Sequence, residues 1–338
     1  MKQFKFLMIA IISTIFLSTG CGNTSKDATT EKVESSKNHT VDKETKPALK
    51  KEIINNSVIK DQVLRELIFA DFSSGEGEEM DPTFPTKHDL ASLTELSYNG
   101  KKKKRKIQSL EGLEYAVNLE ELDFRNNAIE DFSPLKNLEL LYKLDLSNNQ
   151  IENIEPLKDI PNLGEVNLNK NKIKDITPLQ VVPIGIGRVE FDDNLIEEIP
   201  LNIPLFKYTG LELIFSNNQI KNIAGLSELE EIGYLDLSNN LIEDISPLQN
   251  VKTSYEGFID LSNNKIKTLP SLQGIQQANT LNLSNNQIQD VSPLKNIEVS
   301  ELHLEGNPVE EISPLENTMI YSVYIDGKTI FQEDIGDY

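Results

Sequence analysis

From about residue 93 onward, the chain repeats one pattern of apolar and polar positions roughly every 22 residues. The pattern reads L-x-L-x-x-N-x-I-x-x-I-x-P-L, as in LYKLDLSNNQIENIEPL (141–157) and IGYLDLSNNLIEDISPL (232–248). Its Leu-x-Leu step places two apolar side chains on one face of a short strand. The later Ile pair and the Pro-Leu step predict a return path along an opposite wall, where Pro favours an extended or 3₁₀ course over a full α-helix.

One asparagine follows the predicted strand in each repeat, at the point where the chain turns. An amide side chain has two donors and an acceptor, so it can satisfy backbone groups that lose their sheet partners there. We therefore expect a structural ladder of stacked asparagines. Its members are Asn127, Asn149, Asn171, Asn194, Asn218, Asn240, Asn264, Asn286 and Asn307. This frame and its period are the signature of leucine-rich repeats, in which each turn of a solenoid stacks on the next.

A stack of such repeats leaves an apolar face open at each end and therefore needs caps. The sequence predicts a helical N-terminal cap over residues 50–92, because four apolar residues in it fall at helical spacing. These are Val63, Leu64, Leu67 and Ile68. We expect residues 93–338 to form the repeat domain, with about 10 to 11 turns that include degenerate end turns.

The repeats and the segment before them resemble a known family. A helical cap leads into DLASLTELSYNG (89–100) and KIQSLEGLEYAVNLEEL (106–122), and 22-residue Ser-Pro-Leu repeats follow. This arrangement resembles the internalin-type leucine-rich repeats of Gram-positive bacteria over roughly residues 53–330. The resemblance implies an α/β fold: a curved right-handed solenoid with a concave parallel β-sheet, a convex side of 3₁₀ and extended turns, and a small helical cap. It also implies that the concave side binds another protein.

The end of the repeats differs from that of typical internalins, which carry an immunoglobulin-like domain there. In this sequence SVYIDGKTIF (322–331) follows the last Ser-Pro-Leu step. We expect it to form one degenerate closing turn, with Val323, Ile325 and Ile330 in frame. The expected anchor lies at the N-terminus instead.

Residues 1–21 predict a lipoprotein signal peptide. A short positive region precedes an apolar run of 12 residues (6–17), which is too short to span about 30 Å of hydrocarbon. The run ends in LSTGC (17–21), which resembles a bacterial lipobox, so we expect lipidation of Cys21. An ordinary secretory signal is the alternative.

Residues 22–49 predict a disordered tether, because Ser, Thr, Lys and acidic residues dominate them and apolar residues are few. Such a segment cannot bury enough surface to offset the entropy of ordering. Together with the expected lipid, it would hold the repeats outside a bacterial cell membrane.

Composition excludes several classes of function. Acidic residues outnumber basic ones 54 to 33, for a net charge of -21, which argues against a nucleic-acid partner. One cysteine and three separated histidines leave little for metal or acid–base chemistry, and no nucleophile elbow, zinc-protease or phosphate-loop motif occurs. We expect no enzyme activity, cofactor, metal or small-molecule substrate, and we expect a monomer.

The side chains that alternate with the strand leucines should face out on the concave side. Polar residues should occupy these positions if water is their only neighbour, but Ile214, Tyr234 and Phe258 break that pattern on three successive turns. A shared apolar patch at the centre of an acidic face is typical of a protein-binding hot spot. Packing beneath inserted loops, carrying Phe206-Lys207-Tyr208 and Ser254-Tyr255, is the alternative.

Other outward positions carry acidic or aromatic groups that complete the candidate protein-binding surface. They are Glu190, Asp236, Asp260 and Tyr324. The carboxylates could steer a basic partner through their field. Asp is also common in this repeat frame, so a merely solvated acidic face is the alternative.

A basic loop interrupts the first degenerate turn. It consists of Lys101, Lys102, Lys103, Lys104, Arg105 and Lys106. The loop is either a solvated segment that offsets nearby negative charge or a contact for anionic wall polymer or lipid head groups. The favoured hypothesis is a lipid-anchored surface protein whose concave face binds a protein, in adhesion or in host or envelope interaction. The alternative is an envelope structural protein that binds wall polymer through the basic loop.

Overall fold

Each repeat forms a short strand at its Leu-x-Leu step, because the alternating side chains bury one face of the strand against the repeat's own return path. The computed structural model describes residues 57–73, 80–81, 83–182, 185–204, 209–316 and 318–331. Twelve strands within these residues form one sheet in sequence order. They are β1 (Glu95–Ser97), β2 (Glu121–Asp123), β3 (Lys143–Asp145), β4 (Glu165–Asn167), β5 (Arg188–Glu190), β6 (Leu211–Ile214), β7 (Glu231–Asp236), β8 (Lys252–Asp260), β9 (Gln276–Asn282), β10 (Glu298–His303), β11 (Met319–Ile325) and β12 (Lys328–Phe331).

The strands from β1 to β11 pair in parallel, and their Leu-x-Leu steps keep one register, which confirms the predicted leucine-rich-repeat solenoid. The buried leucine, valine or isoleucine at the centre of each Leu-x-Leu step pairs with its counterpart in the next strand, as Leu122 does with Leu144. These side chains and the Ile and Leu residues of the return path form one continuous buried core. Phe124, Phe191 and Phe215 replace leucine in three repeats, and the rings of Phe191 and Phe215 pack edge to face at 5.8 Å.

The ladder asparagines are buried directly behind the strands. In a typical repeat, the Oδ1 atom of Asn149 accepts a hydrogen bond from the amide of Ile129 at 3.0 Å. Its Nδ2 atom donates to the carbonyl oxygens of Phe124 and Leu146, at 3.0 and 2.9 Å. Each asparagine therefore joins its own turn to the preceding turn, which allows the backbone to bend sharply without leaving buried polar groups unpaired.

The residue before each ladder asparagine adopts a left-handed conformation, which the sequence reading did not foresee. Asn148, Asn217 and Asn239 have φ angles of 54°, 54° and 56°, and Lys170 and Asp193 occupy the same place with 56° and 54°. Asparagine tolerates this region better than most residues, because its short side chain can hydrogen-bond locally. The two residues of the Asn-Asn pair thus have different roles. The first adopts the left-handed conformation at the turn, and the side chain of the second hydrogen-bonds the backbone of its own and the preceding repeat.

The return path contains short 3₁₀ helices, as predicted. Their bounds are Leu113–Tyr115, Ser133–Leu135, Glu155–Asp159, Thr177–Val181, Ala224–Glu228, Ser246–Leu248, Ser292–Leu294 and Ser313–Leu315. Proline occupies one of the first positions in most of them, where its missing N–H costs nothing. In several repeats an aspartate lies two residues before the helix and accepts a hydrogen bond from its first amide, as the Oδ1 atom of Asp131 does from Ser133 at 2.8 Å.

Two helices precede the sheet. The longer, α1 (Gln62–Phe72), buries Leu64 and Ile68 against the core. The shorter, α2 (Lys87–Leu90), begins with a capping box between Thr86 and Asp89. Within the described residues, no helix is long and apolar enough to cross a membrane.

Asp61 connects the cap to the repeats. Its Oδ1 atom caps α1 by accepting from the amide of Leu64 at 3.0 Å. Its Oδ2 atom accepts from the amides of Gln108 and Ser109 in the first repeat, at 2.8 and 3.3 Å. One carboxylate therefore fixes the start of the helix and its attachment to the solenoid.

The C-terminal end differs from the expected single closing turn. The segment contributes β11 in parallel and then returns as β12, which pairs antiparallel with β11. Val323, Ile325 and Ile330 are buried, as their alternation in the sequence suggests. An antiparallel return needs only a two-residue connection. The hairpin therefore places β12 directly beside β11 as the last strand of the sheet.

Candidate functional site

The outward-facing residues of the sheet form two columns on its concave face. The first runs through Glu121, Lys143, Glu165, Arg188, Glu212, Tyr234, Phe258, Thr280, Glu301 and Ser322. The second runs through Asp123, Asp145, Asn167, Glu190, Ile214, Asp236, Asp260, Asn282, His303 and Tyr324. All seven candidate protein-binding residues lie in these columns, so the register brings them onto one surface.

The candidate apolar patch lies at the centre of this surface. Tyr234 and Phe258 face each other across β7 and β8, and their rings stack at 4.8 Å with an interplanar angle of 12°. Both side chains are half-buried, as is Ile214 on β6. The Phe258 ring neighbours Thr280, which is only 6% exposed although it lies in an outward column. The patch is therefore a partly desolvated cluster rather than three separate exposed side chains.

The structure bears on one of the two loops proposed to cover this patch. Tyr255 is 77% exposed, so its ring does not serve as a cover. Phe206, Lys207 and Tyr208 lie outside the described residues. The upstream part of β8 that carries Tyr255 extends the strand to nine residues, so this insertion widens the sheet.

The N-terminal half of the concave face is acidic, but basic side chains neutralise much of its charge. It lines a groove of about 450 Å³ along β1 to β5. Arg125 binds Asp123 and lies 3.8 Å from Asp145. Hydrogen bonding to Asp123 holds the pKa of Arg125 above its ordinary value.

Arg188 performs the same role three repeats further on. Its Nε atom lies 2.5 Å from Glu190 Oε1, and its Nη1 atom bonds Glu212 on the next strand. The candidate Glu190 also accepts a hydrogen bond from Asn167 at 2.8 Å. Glu190 is therefore paired with a basic group of the chain. The candidates Asp236 and Asp260 accept hydrogen bonds but form no ion pair with any described residue.

A second stacked pair lies toward the C-terminal end. The rings of His303 and the candidate Tyr324 stack at 4.2 Å with an interplanar angle of 3°. Glu301 and Glu305 flank the imidazole, with nitrogen–oxygen distances of 3.6 and 3.5 Å. Sequence reasoning placed His303 in the outward column but did not recognise this cluster, although the register alone puts His303 opposite Tyr324.

Asp192, at the edge of the concave face, has a raised pKa. Burial, with the nearby charge of Asp193 adding to it, raises the pKa of Asp192 to about 6. Asp192 occupies the position that is serine in most repeats, at the edge of the concave face. A carboxylate at this half-buried position is protonated far more readily than an ordinary aspartate.

The basic loop is not one uniform cationic surface. Lys106 is half-buried, and its ammonium group donates to the carbonyl oxygens of Gly100 and Asn126. Arg105 pairs with Glu66 on α1 at 3.0 Å. The four lysines Lys101–Lys104 are exposed.

Two further predictions fall where the structure gives no test. Cys21, the signal peptide (1–21) and the tether (22–49) lie outside the described residues.

Among the residues that are described, no group of three or more His, Cys, Asp or Glu side chains is arranged to hold a metal ion.

Comparisons with known proteins agree with this architecture. The family model "Leucine Rich repeats (2 copies)" matches residues 117–158, 141–181 and 211–250. A model of the leucine-rich repeats of "Leucine-rich repeat and WD repeat-containing protein 1" matches residues 248–321. No curated protein sequence matches the chain significantly.

Solved structures give closer likenesses. The internalin InlF of Listeria monocytogenes is 27% identical, with a TM-score of 0.58, over 81% of this chain and 84% of that chain. A leucine-rich-repeat protein of Leptospira interrogans is 23% identical, with a TM-score of 0.57, over 69% of this chain and 62% of its own. A chain of the LRIM1/APL1C complex is 20% identical, with a TM-score of 0.54, over 70% of this chain and 43% of its own. The last two likenesses show the fold alone.

Proposed function

We propose that this chain, whose repeats match leucine-rich-repeat models and whose fold is similar to that of an internalin, binds a protein partner with its concave face on the outside of a bacterial cell. Leucine-rich-repeat solenoids are protein-binding scaffolds whose curvature creates an extended concave surface. LRIM1, which shares the fold, forms a complex with APL1C. The fold is typically non-enzymatic, and we propose no catalysis.

The observation that carries the proposal is the apolar cluster of Ile214, Tyr234 and Phe258 on the solvent side of the sheet. The core of each repeat is complete without these side chains, since it lies on the opposite face of the strands. Aromatic residues at the centre of a polar surface supply most of the binding energy in many protein interfaces. Their half-buried rings are already ordered by stacking, so less side-chain entropy would be lost on binding.

Site-specific photo-crosslinking in living cells tests this proposal without knowledge of the partner. A photoreactive amino acid would replace Asn282 on the concave face, Glu243 on the exposed convex side, or Lys103 in the basic loop. We expect a discrete crosslinked protein from position 282 alone, and its loss when Tyr234→Ala and Phe258→Ala are added. Equal adducts from positions 282 and 243, or an adduct that survives the double substitution, would refute the concave-face proposal.

The basic loop supports a second candidate function, binding of anionic wall polymer. Lys101–Lys104 remain available for it, whereas Arg105 and Lys106 are engaged with the rest of the chain. Retention of the protein by purified cell walls would then fall when these four lysines are replaced by serine. Unchanged retention would exclude this function.

We also propose that a lipid on Cys21 anchors the chain to the membrane. Two or three acyl chains at about 0.8 kcal/mol per buried CH₂ give a stable anchor. Cys21→Ala should release the protein from the membrane fraction into the medium, and a variant that stays membrane-bound would contradict the anchor.

A further inference from the structure

The two halves of the concave face differ in how their charge is balanced. Along β2 to β6, Arg125, Lys143 and Arg188 contact the neighbouring carboxylates. Along β7 to β11, neither outward column contains a lysine or an arginine. No lysine or arginine in these columns therefore neutralises the negative charge of the C-terminal half, and His303 lies between Glu301 and Glu305.

The C-terminal half also has a wider sheet. Strands β1 to β5 have three residues each, whereas β7 to β11 have six, nine, seven, six and seven. Register shifts near Gly233 and between Glu298 and Val299 add paired residues upstream of the usual Leu-x-Leu step. A wider hydrogen-bonded sheet gives the side chains above it a more rigid support.

The first stacked pair in this half combines aromatic rings with carboxylates. Asp236 and Asp260 lie two residues beyond Tyr234 and Phe258 on the same strands, so all four side chains share one face. Asp260 is held by hydrogen bonds from the amide of Ser262 at 2.8 Å and from Asn282 at 3.1 Å. The carboxylates are thus fixed close to the rings but unpaired with any cation of the described chain.

The second stacked pair repeats this combination. His303 and Tyr324 stack on β10 and β11, and Glu301 and Glu305 flank them. The Oε2 atom of Glu305 is buried without a hydrogen-bond partner among the described residues. A buried acceptor that lacks a donor is unfavourable, and a donor from a bound ligand would satisfy it.

We propose that the C-terminal half of the concave face binds an extended basic segment of the protein partner, with one cationic side chain at each aromatic–carboxylate pair. This inference rests on the proposed function and names the chemistry of the partner. Arginine suits both positions, because its planar guanidinium group can lie against a ring while its N–H groups bond carboxylates. A charge-assisted hydrogen bond of this kind is about twice as strong as a neutral one.

The spacing of the two pairs defines the ligand further. Along the direction in which the strands stack, three strand spacings separate the two pairs, which is about 14 Å at ~4.8 Å per strand. The carboxylates of the first pair, Asp236 and Asp260, lie in the same column as the rings of the second. Four residues of extended chain span about 13 to 14 Å. Residues i and i+4 of an extended chain also point to the same side. The structure therefore favours two arginines four residues apart over two arginines three residues apart, whose side chains would point to opposite sides.

Defined peptides test the proposal. The probes are fluorescein-labelled 12-residue Gly/Ser peptides with two arginines at i and i+4, the same peptide with i and i+3 spacing, and an i,i+4 peptide with citrulline in place of arginine. Binding to the full chain in nonionic detergent would be followed by fluorescence anisotropy at about 0.15 M salt, where long-range attraction to the acidic protein is screened. We expect the i,i+4 arginine peptide to bind at least five-fold more tightly than either comparison peptide.

A matched pair of variants locates the site. Asp236→Asn with Asp260→Asn removes two charges from the proposed site, and Asp123→Asn with Asp145→Asn removes two charges from the same column in the other half. Asparagine already occupies this column at Asn282, where its Oδ1 accepts the same turn hydrogen bond, so both variants should fold. We expect the first variant to weaken binding of the i,i+4 arginine peptide at least five-fold and the second less than two-fold.

Each other outcome overturns the inference. Equal losses in the two variants would mean that the peptide responds only to net charge. Equal binding of the three peptides, or no binding of the i,i+4 peptide at 1 mM, would mean that no paired cation site exists. The proposed function would survive these results if crosslinking from position 282 still depended on Tyr234 and Phe258, so the two failures can be told apart.

Discussion

Asn218 offers a sharp test of how the solenoid holds together, because it lies in the middle of the asparagine ladder. Its Oδ1 atom accepts from the amide of Ile196 at 3.0 Å. Its Nδ2 atom donates to the carbonyl oxygens of Phe191, Phe215 and Ser216, at 3.0, 3.1 and 3.1 Å. Asn218→Ala removes all four contacts from a buried position without adding bulk.

The structure shows which of these backbone groups would lose every partner. The Phe191 carbonyl keeps a hydrogen bond from Asn194, and the Phe215 carbonyl keeps one from Asn240. The Ile196 amide has no such second partner in the ladder. Leaving this buried donor unpaired costs about 1 to 3 kcal/mol, and the weakened carbonyl bonds add about 1 kcal/mol more. We therefore expect Asn218→Ala to lower the free energy of unfolding by about 2 to 4 kcal/mol.

Urea unfolding followed by circular dichroism measures the loss, and hydrogen exchange at the Ile196 amide locates it. Exchange at this amide should accelerate strongly, because opening no longer breaks a bond to the ladder. Asn250→Ala is the matched control: Asn250 is exposed, so its truncation should cost less than about 0.5 kcal/mol. A loss below 1 kcal/mol for Asn218→Ala, with unchanged exchange at Ile196, would refute the view that the ladder stabilises the stack.

Two further substitutions test individual side chains. Burial raises the pKa of Asp192 to about 6, above an unfolded value of about 3.9. The protonated side chain therefore contributes stability that is fully present below about pH 3.9 and is lost as the pH rises through 6. After allowance for solvent screening, Asp192→Asn should raise the free energy of unfolding by about 1 to 2 kcal/mol at pH 7.5 and change it little at pH 4, and equal gains at both pH values in urea unfolding would contradict this. Lys106→Ala removes the two hydrogen bonds from its ammonium group to main-chain carbonyls, and it should lower the free energy of unfolding by about 1 to 3 kcal/mol. Lys103→Ala should cost less than about 0.5 kcal/mol, and equal thermal stability of the two lysine variants would contradict a structural role for Lys106.

Much of the fold follows from the sequence because the repeat frame uses strongly directional chemistry. The Leu-x-Leu alternation fixes which side chains face out, and nine aligned copies fix the register between neighbouring strands. The position of Tyr234 opposite Phe258 could thus be predicted before any coordinates. The left-handed residue before each ladder asparagine was not anticipated, since lysine and aspartate also occupy this place, at Lys170 and Asp193.

Other features depend on geometry that the repeat frame does not encode. The lengthened strands β7 to β11 arise where residues upstream of the Leu-x-Leu step, such as Ile232 and Val299, pair with a neighbouring strand. The equivalent Leu119 and Leu141 are also buried but lie before three-residue strands. The β-branched side chains of Ile232 and Val299 favour strands, but Ile186 occupies the same place before the three-residue strand β5, so residue type alone does not predict the lengthening. The ion pairs of Arg188 and the hydrogen bonds of Lys106 depend on side-chain conformations, which no pattern of residue types determines.

The buried core and the proposed binding surface lie on opposite faces of the same strands, so substitutions on the concave face can be interpreted separately from those in the core. Leu235 and Ile259 point into the core, whereas their neighbours Tyr234 and Phe258 point away from it. Truncating a core leucine to alanine costs about 2 to 5 kcal/mol, whereas truncating the concave rings removes half-buried area and one stacking contact. The concave variants should therefore remain folded, and a change in their crosslinking can be assigned to the binding surface. The same reasoning applies to the paired aspartate variants, because asparagine already occupies their column.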